Sequence, residues 1–286
     1  MREDFGVFIL TYGRANNVIT YKLLRKRGYN GKIFLIIDDT DTDEDRYKEL
    51  YGDEVIVFNK EEMRDTFDIG DNFKGNNVVV FARNKCHEIA EGLGLKYFLV
   101  LDDDYSDINI RVAEGEKLAS KRITSYDDIF DLMIKFLDES RALTIAFGQA
   151  GDLIGGVKNA NYQRGFIRKA MNSFFCKTNN PFKFIGRINE DVTAYTLLGS
   201  QGHLFLTIMG AIVIQQPTQQ NEKGLTDIYL ELGTYVKSFY SVMVMPSAVV
   251  IAPMGSSNLR LHHRVRWDNC VPRILPEKYK KVVTNG

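Results

Sequence analysis

Cysteine is scarce in this chain: Cys86, Cys176 and Cys270 lie far apart in 286 residues and form no CxxC pair. That excludes a disulfide framework and a cysteine-built structural zinc site, and it fits reduced thiols in a cytosolic compartment. Net charge is lacking too, with 37 basic against 37 acidic residues. No global positive field draws the chain to nucleic acid, so any such contact has to be local. Long apolar runs are also missing. The longest, 242–254, is interrupted by Pro246 and Pro253 and is too short to span a bilayer. The opening MREDFGVFILTYGR shows no signal-like apolar stretch followed by a cleavage site. These absences set the expectation of a soluble, cytoplasmic protein without membrane association. What is present suffices for a core: 44% hydrophobic and 12% aromatic residues belong to a folded globular chain.

The first half alternates two kinds of segment. GVFILTY, KIFLIIDD, EVIVF, VVVFA and YFLVLDDD read as short, wholly apolar strands, while ANNVITYKLLRKRGY and RNKCHEIAEGLG read as helices. Apolar strands separated by helices indicate an α/β fold with a mostly parallel central sheet covered on both faces. Ligands bind such sheets beyond the carboxyl ends of the strands. Polar residues gather at those ends: Thr11, Tyr12 and Arg14; Asp38 and Asp39; Arg83 and Asn84; Asp102, Asp103 and Asp104. Further on, TSYDDIFDLMIKFLDES predicts a helix with Ile129, Leu132, Met133, Phe136 and Leu137 on its apolar face. Residues 146–165, rich in Gly and Asn, predict a loop over the crevice. HLFLTIMGAIVIQQ reads as a strand, DIYLELGTYVKSFYSVMVM as a helix and AVVIA as a late strand. The expectation is a single domain over 1–286, with a core at about 5–215 and a C-terminal helix, strand and basic tail over 216–286.

Three motifs carry chemistry. Asp102 and Asp104, spaced i and i+2 at a strand end, can turn toward one hard divalent cation such as Mn²⁺ or Mg²⁺, which shares its remaining positions with water and phosphate. Asn189-Glu190-Asp191 stands just ahead of a helix. Either it only caps that helix, or a carboxylate there serves as general base toward an acceptor hydroxyl. RLHHRVR, with His262 and His263, supplies either a metal ligand with clamps for a diphosphate or a solvated basic strand. Asp39, Asp41, Asp43 and Asp45 mimic a calcium loop but lack its Gly and its final Glu, so they read as a solvated acidic turn. GQAGDLIGG lacks the Lys-Ser/Thr of a Walker loop and reads as a substrate loop.

VFILTYGRANN, an acidic second strand end, Arg-Asn before a helix, LVLDDD and a later NED together resemble the GT-A glycosyltransferases over about residues 5–215. The resemblance implies a nucleoside diphosphate sugar donor, a UDP-sugar by expectation, with Thr11, Tyr12, Arg14, Asp39, Arg83, Asn84, Asp102 and Asp103 on the donor side. It implies Mn²⁺ or Mg²⁺ on Asp102 and Asp104, completed by His262 or His263, and catalytic carboxylates at Asp191 and Glu190. The chain length and the basic RLHHRVRWDNCVPR look like the TET-associated glycosyltransferases of bacteriophages, which attach sugars to 5-hydroxymethylpyrimidines in DNA. That resemblance implies DNA as acceptor and the host cytoplasm as location, while the balanced net charge leaves a polysaccharide, protein or small-molecule acceptor open. A neutral protein then needs a local basic face. Arg25-Lys26-Arg27 and the tail are candidates for it, with Trp267, Tyr162 or Phe166 to stack on a base. Two other readings share these residues. A nucleotidyltransferase would release pyrophosphate instead of a nucleoside diphosphate, and a non-catalytic nucleic-acid-binding protein would not respond to UDP.

Overall fold

The computed structural model describes residues 1–73, 78–215, 236–254 and 260–272, with Ile274, Glu277 and Lys280. Its sheet begins where the apolar runs predict: β1 (Phe5–Leu10), β2 (Lys32–Asp38), β3 (Val55–Phe58) and β4 (Tyr97–Asp102). These four pair in parallel, in the order β3-β2-β1-β4. Successive side chains leave a strand on opposite faces, so a run that is apolar at every position feeds two cores. Phe5, Val7 and Ile9 join Leu99 and Leu101 on one face, under α1 (Ile19–Lys26), α2 (Glu44–Tyr51) and α4 (Tyr126–Ser140). Phe8 and Leu10 join Phe98 and Val100 on the other, against α3 (Val80–Gly92) and α6 (Glu190–Ser200).

The sheet then continues with β9 (Ser173–Lys177), β7 (Thr144–Gln149), β10 (Phe205–Gln215), β5 (Tyr105–Glu114) and β6 (Lys117–Arg122), while β8 (Phe166–Ile167) pairs with β10 off this path. The strands β1 to β4, β6, β7 and β10 run one way and β5, β8 and β9 the other, which makes the sheet mostly parallel, as expected. The reversed β9 joins two parallel blocks. It meets β7 over two residue pairs, supplemented where Thr144 Oγ1 donates to Phe175 O (2.9 Å) and Phe147 N donates to Ser173 Oγ (3.0 Å).

Several expectations need correction. VVVFA is not a strand: Val80 already opens α3, and Val80 and Phe81 bury its first turn against the sheet. Packing overrides β-propensity there, and Arg83 and Asn84 consequently stand on a helix, not at a strand end. In α4 the buried face is Tyr126, Phe130, Met133, Ile134 and Leu137, while Leu132 is 62% exposed. The segment 146–165 is not all loop, since β7 reaches Gln149 and α5 spans Ala160–Arg164. Of the helix read over 227–245, residues 227–235 lie outside the described part; α7 is Val236–Val244. Also outside it are Gln216 of the β10 run and Asn258 and Leu259 of the tail.

Beyond α7, β11 (Val249–Met254) and β12 (Arg260–Val265) form a separate hairpin. With α7 it covers α6, which is buried on nearly every side and has little amphipathic character of its own. Tyr195 of α6 stacks on Trp267 at 5.6 Å, a contact worth about 0.5–1.5 kcal/mol beyond its area. No helix among the described residues is long and apolar enough to cross a membrane.

Candidate active site

Asp102 ends β4 and Asp103 and Asp104 make the turn into β5, which is fixed by a residue 82 positions before Asp102. The Thr20 hydroxyl donates to Asp102 O (2.6 Å) and accepts from Tyr105 N (2.9 Å), while Thr20 N donates to Asp103 O (3.0 Å). The three carboxylates then diverge. Asp103, only 5% exposed, accepts from Thr11 Oγ1 (2.7 Å) and Arg14 Nη1 (2.8 Å). Because the Thr11 proton goes to Asp103, Tyr47 must donate to Thr11 (2.8 Å), and Tyr47 in turn accepts from Arg14 N (2.9 Å). Asp103 therefore ties the end of β1 to the end of β4. Burial pushes its carboxyl up, opposed chiefly by Arg14.

Asp102 and Asp104 have fewer partners. Asp102 Oδ1 accepts from Arg83 Nη2 at 3.2 Å, and among the described residues Asp104 accepts from the neutral amide of Gln215 at 3.0 Å. Burial, and then the neighbouring Asp102 and Asp103, push the Asp104 carboxyl up to about 6. Crowded carboxylates with so little positive charge are the donor set a hard divalent cation answers. The residues therefore fit such an ion, with Asp102 and Asp104 as the groups that would hold it. Among the described residues no three or more His, Cys, Asp or Glu gather into a metal centre. An ion there would depend on water and a phosphate ligand for its other positions.

Arg83 brings the second motif to the first. It is 4% exposed and bonds the Glu190 carboxylate through Nη1 and Asp102 through Nη2, with its guanidinium 5.1 Å from the centre of the Phe174 ring. Burial pushes Glu190 up to about 7 against the pull of Arg83. Asp191, also buried, is raised by the same cause and lowered by Arg83 and Lys169; its Oδ1 accepts from Val192 N at 2.7 Å. Asn189 is not a side-chain cap. It adopts a left-handed conformation (φ 56°), donates to Lys237 O (2.6 Å) and lies 3.2 Å from His263 Nδ1. Burial, with His262 and Lys237 nearby, pushes His263 down to about 4, so it is neutral at pH 7.

The remaining expected residues are placed as follows. Tyr12 donates to Thr40 O at 3.3 Å, and the exposed Asp39 accepts from Lys60 N at 3.0 Å. Both ends of the Asn84 amide pair with the Phe184 backbone, at 2.8 Å each, so this side chain holds a loop. His262 stacks beside His263 at 4.2 Å, and neither joins Asp102 and Asp104 in a metal-holding group. The acidic turn is not wholly solvated: Asp41 is 5% exposed and accepts from Gly13 N (2.8 Å), whose positive φ of 64° suits glycine. Arg25 and Arg27 are not a basic face, since they pair with Glu54 and with Asp107 (2.9 Å).

Other site residues escaped the sequence reading. Tyr47, Thr20 and Gln215 carry no local signal, because their partners lie far away in the chain. Lys169 was missed as well; it donates to Asp152 Oδ1 at 2.6 Å and lies close enough to act on Asp191. Lys60 (to Asp38, 2.9 Å) follows β3, where the strand-end rule would have found it. Arg187 grips Asp71 through Nε (2.8 Å) and Nη2 (2.8 Å), and Asp71 also accepts from Tyr240 of α7.

The sequence matches the model of the TET-associated glycosyltransferases over residues 5–224. The chain belongs to that family. It is a glycosyltransferase, and the resemblance read from its motif order agrees. No curated protein sequence matches it. Two solved structures of glucosyl-3-phosphoglycerate synthase from Mycobacterium tuberculosis share its shape distantly. One, with Mg²⁺ and uridine diphosphate, is 9% identical at a TM-score of 0.40 and covers 91% of this chain and 87% of its own. The other, with Mn²⁺, uridine diphosphate and phosphoglyceric acid, is 10% identical at 0.42 and covers 91% and 86%. In the transferase, Arg83 is the physical link between the two acidic motifs.

Proposed function

We propose that the transferase moves a sugar from a nucleoside diphosphate sugar, a UDP-sugar by preference, to the hydroxymethyl oxygen of a 5-hydroxymethylpyrimidine in DNA. The observation that carries the site is the buried Arg83 joining Asp102 to Glu190, which makes one crevice of two motifs. Membership of the family supports the acceptor reading, and the strand ends of β1, β2 and β4 support the donor crevice. Asp102 and Asp104 are the residues that would hold a divalent cation. Such an ion, when bound, supplies positive charge where the diphosphate leaves. His263 is kept here as the partner of Asn189 and not as a ligand.

Asp191 takes the proton of the acceptor hydroxyl as the acceptor oxygen bonds the anomeric carbon, and the bond from that carbon to the diphosphate oxygen breaks with its electron pair leaving on the nucleotide. A carboxylate raised by burial suits that role, since it is a stronger base than an exposed one. Glu190 holds Arg83, and Arg83 holds Asp102, so the base and the leaving-group end keep one spacing. Asp103, Thr11, Arg14 and Tyr47 keep the floor of the crevice rigid.

The test is a product assay with UDP-sugars, Mn²⁺ and an oligonucleotide bearing 5-hydroxymethylcytosine or 5-hydroxymethyluracil. Free nucleoside diphosphate and a heavier oligonucleotide are expected. Asp104→Asn should lower kcat by about 10²–10³ with the fold intact. Pyrophosphate as the product would refute the reaction, and full activity of D104N in EDTA would refute the metal role.

A further inference from the structure

The β5–β6 hairpin and the segment after β7 enclose a cavity of about 470 Å³. That lies within the roughly 300–1,000 Å³ of ordinary ligand pockets. Its floor is apolar: Leu118 and Leu153 belong to a small cluster with Met209 and Ile212, and Ile154 stands 80% exposed at the rim. Two cations line it, Arg111 and Lys117, and neither has an acidic partner among the described residues. Arg111 Nε is buried and has no hydrogen-bond partner among the described residues, a donor left for an arriving acceptor to satisfy. The one acid of the lining, Glu116, is held by Lys158 at 2.8 Å. The lining thus offers two cations against one acid that is already paired.

The far wall is bare backbone. Gly155 and Gly156 have φ of 101° and 66°, and a Cβ on Gly156 would come within 2.7 Å of Glu116 O. Each wall is connected to the reaction centre. Arg111 lies on β5, which begins directly after Asp104. The segment behind the other wall includes Asp152, which does not line the cavity but pairs with Lys169, and Lys169 acts on Asp191.

We infer that this cavity holds the nucleotide flanking the target base in the acceptor strand, with its phosphate on Arg111 and Lys117 and its sugar and base edge on Leu118, Leu153 and Ile154. The inference rests on the acceptor reading above. An anionic oxygen would satisfy Arg111 Nε, and a bidentate guanidinium suits phosphate. The apolar floor suits the uncharged part of the same unit.

The test uses the full chain with a 5-hydroxymethylcytosine oligonucleotide across a series of salt concentrations. R111Q/K117Q should raise KM for the oligonucleotide about 10–100-fold while KM for the donor stays within about two-fold. The slope of log KM against log salt should flatten by about 1–2, the loss of one or two phosphate contacts. Lys135→Gln on α4 controls for surface charge and should change neither quantity. An unchanged oligonucleotide KM and salt slope in the double variant overturns the cavity assignment alone. A wild-type protein that modifies no hydroxymethylated DNA overturns the acceptor reading, and the assignment with it.

Discussion

Arg83→Met removes the guanidinium that Asp102 and Glu190 share and leaves a side chain of similar reach. Glu190 is then buried without that compensation while the part-exposed Asp102 loses the same partner, and breaking a buried pair this way costs about 3–5 kcal/mol. Unfolding entropy of about 2.1 cal/mol/K per residue gives roughly 0.6 kcal/mol/K for a chain of 286 residues. The expected fall in Tm is therefore about 5–8 °C, read by calorimetry. Adding Glu190→Gln removes one stranded charge, so R83M/E190Q should regain about 1–2 kcal/mol over R83M. The pH dependence has a definite sign. Glu190 already sits above its ordinary value, at about 7, and loses its largest compensating contribution, Arg83, in R83M. A carboxyl raised in the folded state stabilises fully below its ordinary value of 4.5 and loses that contribution as pH climbs through the folded value. The deficit of R83M should thus be smaller at pH 5 than at pH 8. Strictly additive losses in the double variant, together with a deficit independent of pH, would refute the reasoning.

Asp191→Asn should lower kcat about 10²–10⁴-fold with little change in donor affinity by calorimetric titration; a loss below ten-fold removes Asp191 from the proton step. Tyr47→Phe strands the Arg14 N–H and unlinks Thr11, for an expected loss of about 1–3 kcal/mol in urea unfolding. His87 has both ring nitrogens buried without partners among the described residues and packs edge-on against Phe98 and Phe182; burial pushes it down to about 4. The unfolded chain protonates it near 6.5, so stability present above that value is lost as pH falls from about 6.5 toward 4. The loss is about 1.4 kcal/mol per pH step and roughly 3 kcal/mol in all. His87→Leu should flatten that part of the pH–stability curve.

The parallel block was legible because β1, β2 and β4 are apolar at every position, a pattern that only two-sided burial explains. The acid at two of those strand ends was legible for the same reason: charge at the end of a buried run has to face a crevice. The β5–β6 hairpin was not, since most of its residues beyond Ile108 are exposed and no period of two survives in its apolar residues. Helix α3 was misread because Val-Val-Val-Phe has strand propensity, and only the packing of Val80 and Phe81 decides for a helix. Partners were the least legible. Arg25 and Arg27 read as a free basic patch because Glu54 and Asp107 are 29 and 80 residues away. Asp103, the middle aspartate, has its place set by Thr11, Arg14 and Tyr47, none of which its own neighbourhood in the sequence indicates.

The reversed strand β9 gives this molecule a seam. The strand ends assigned to the donor all lie in the block β3-β2-β1-β4, and the cavity assigned to the acceptor lies in the block β7-β10-β5-β6. Between them, β9 and β7 share two residue pairs and the bonds of Thr144 and Ser173. A change in the far block therefore reaches the first four strands less through the β9 ladder than through Gln215 on Asp104 and Asp107 on Arg27, the bonds that cross outside it.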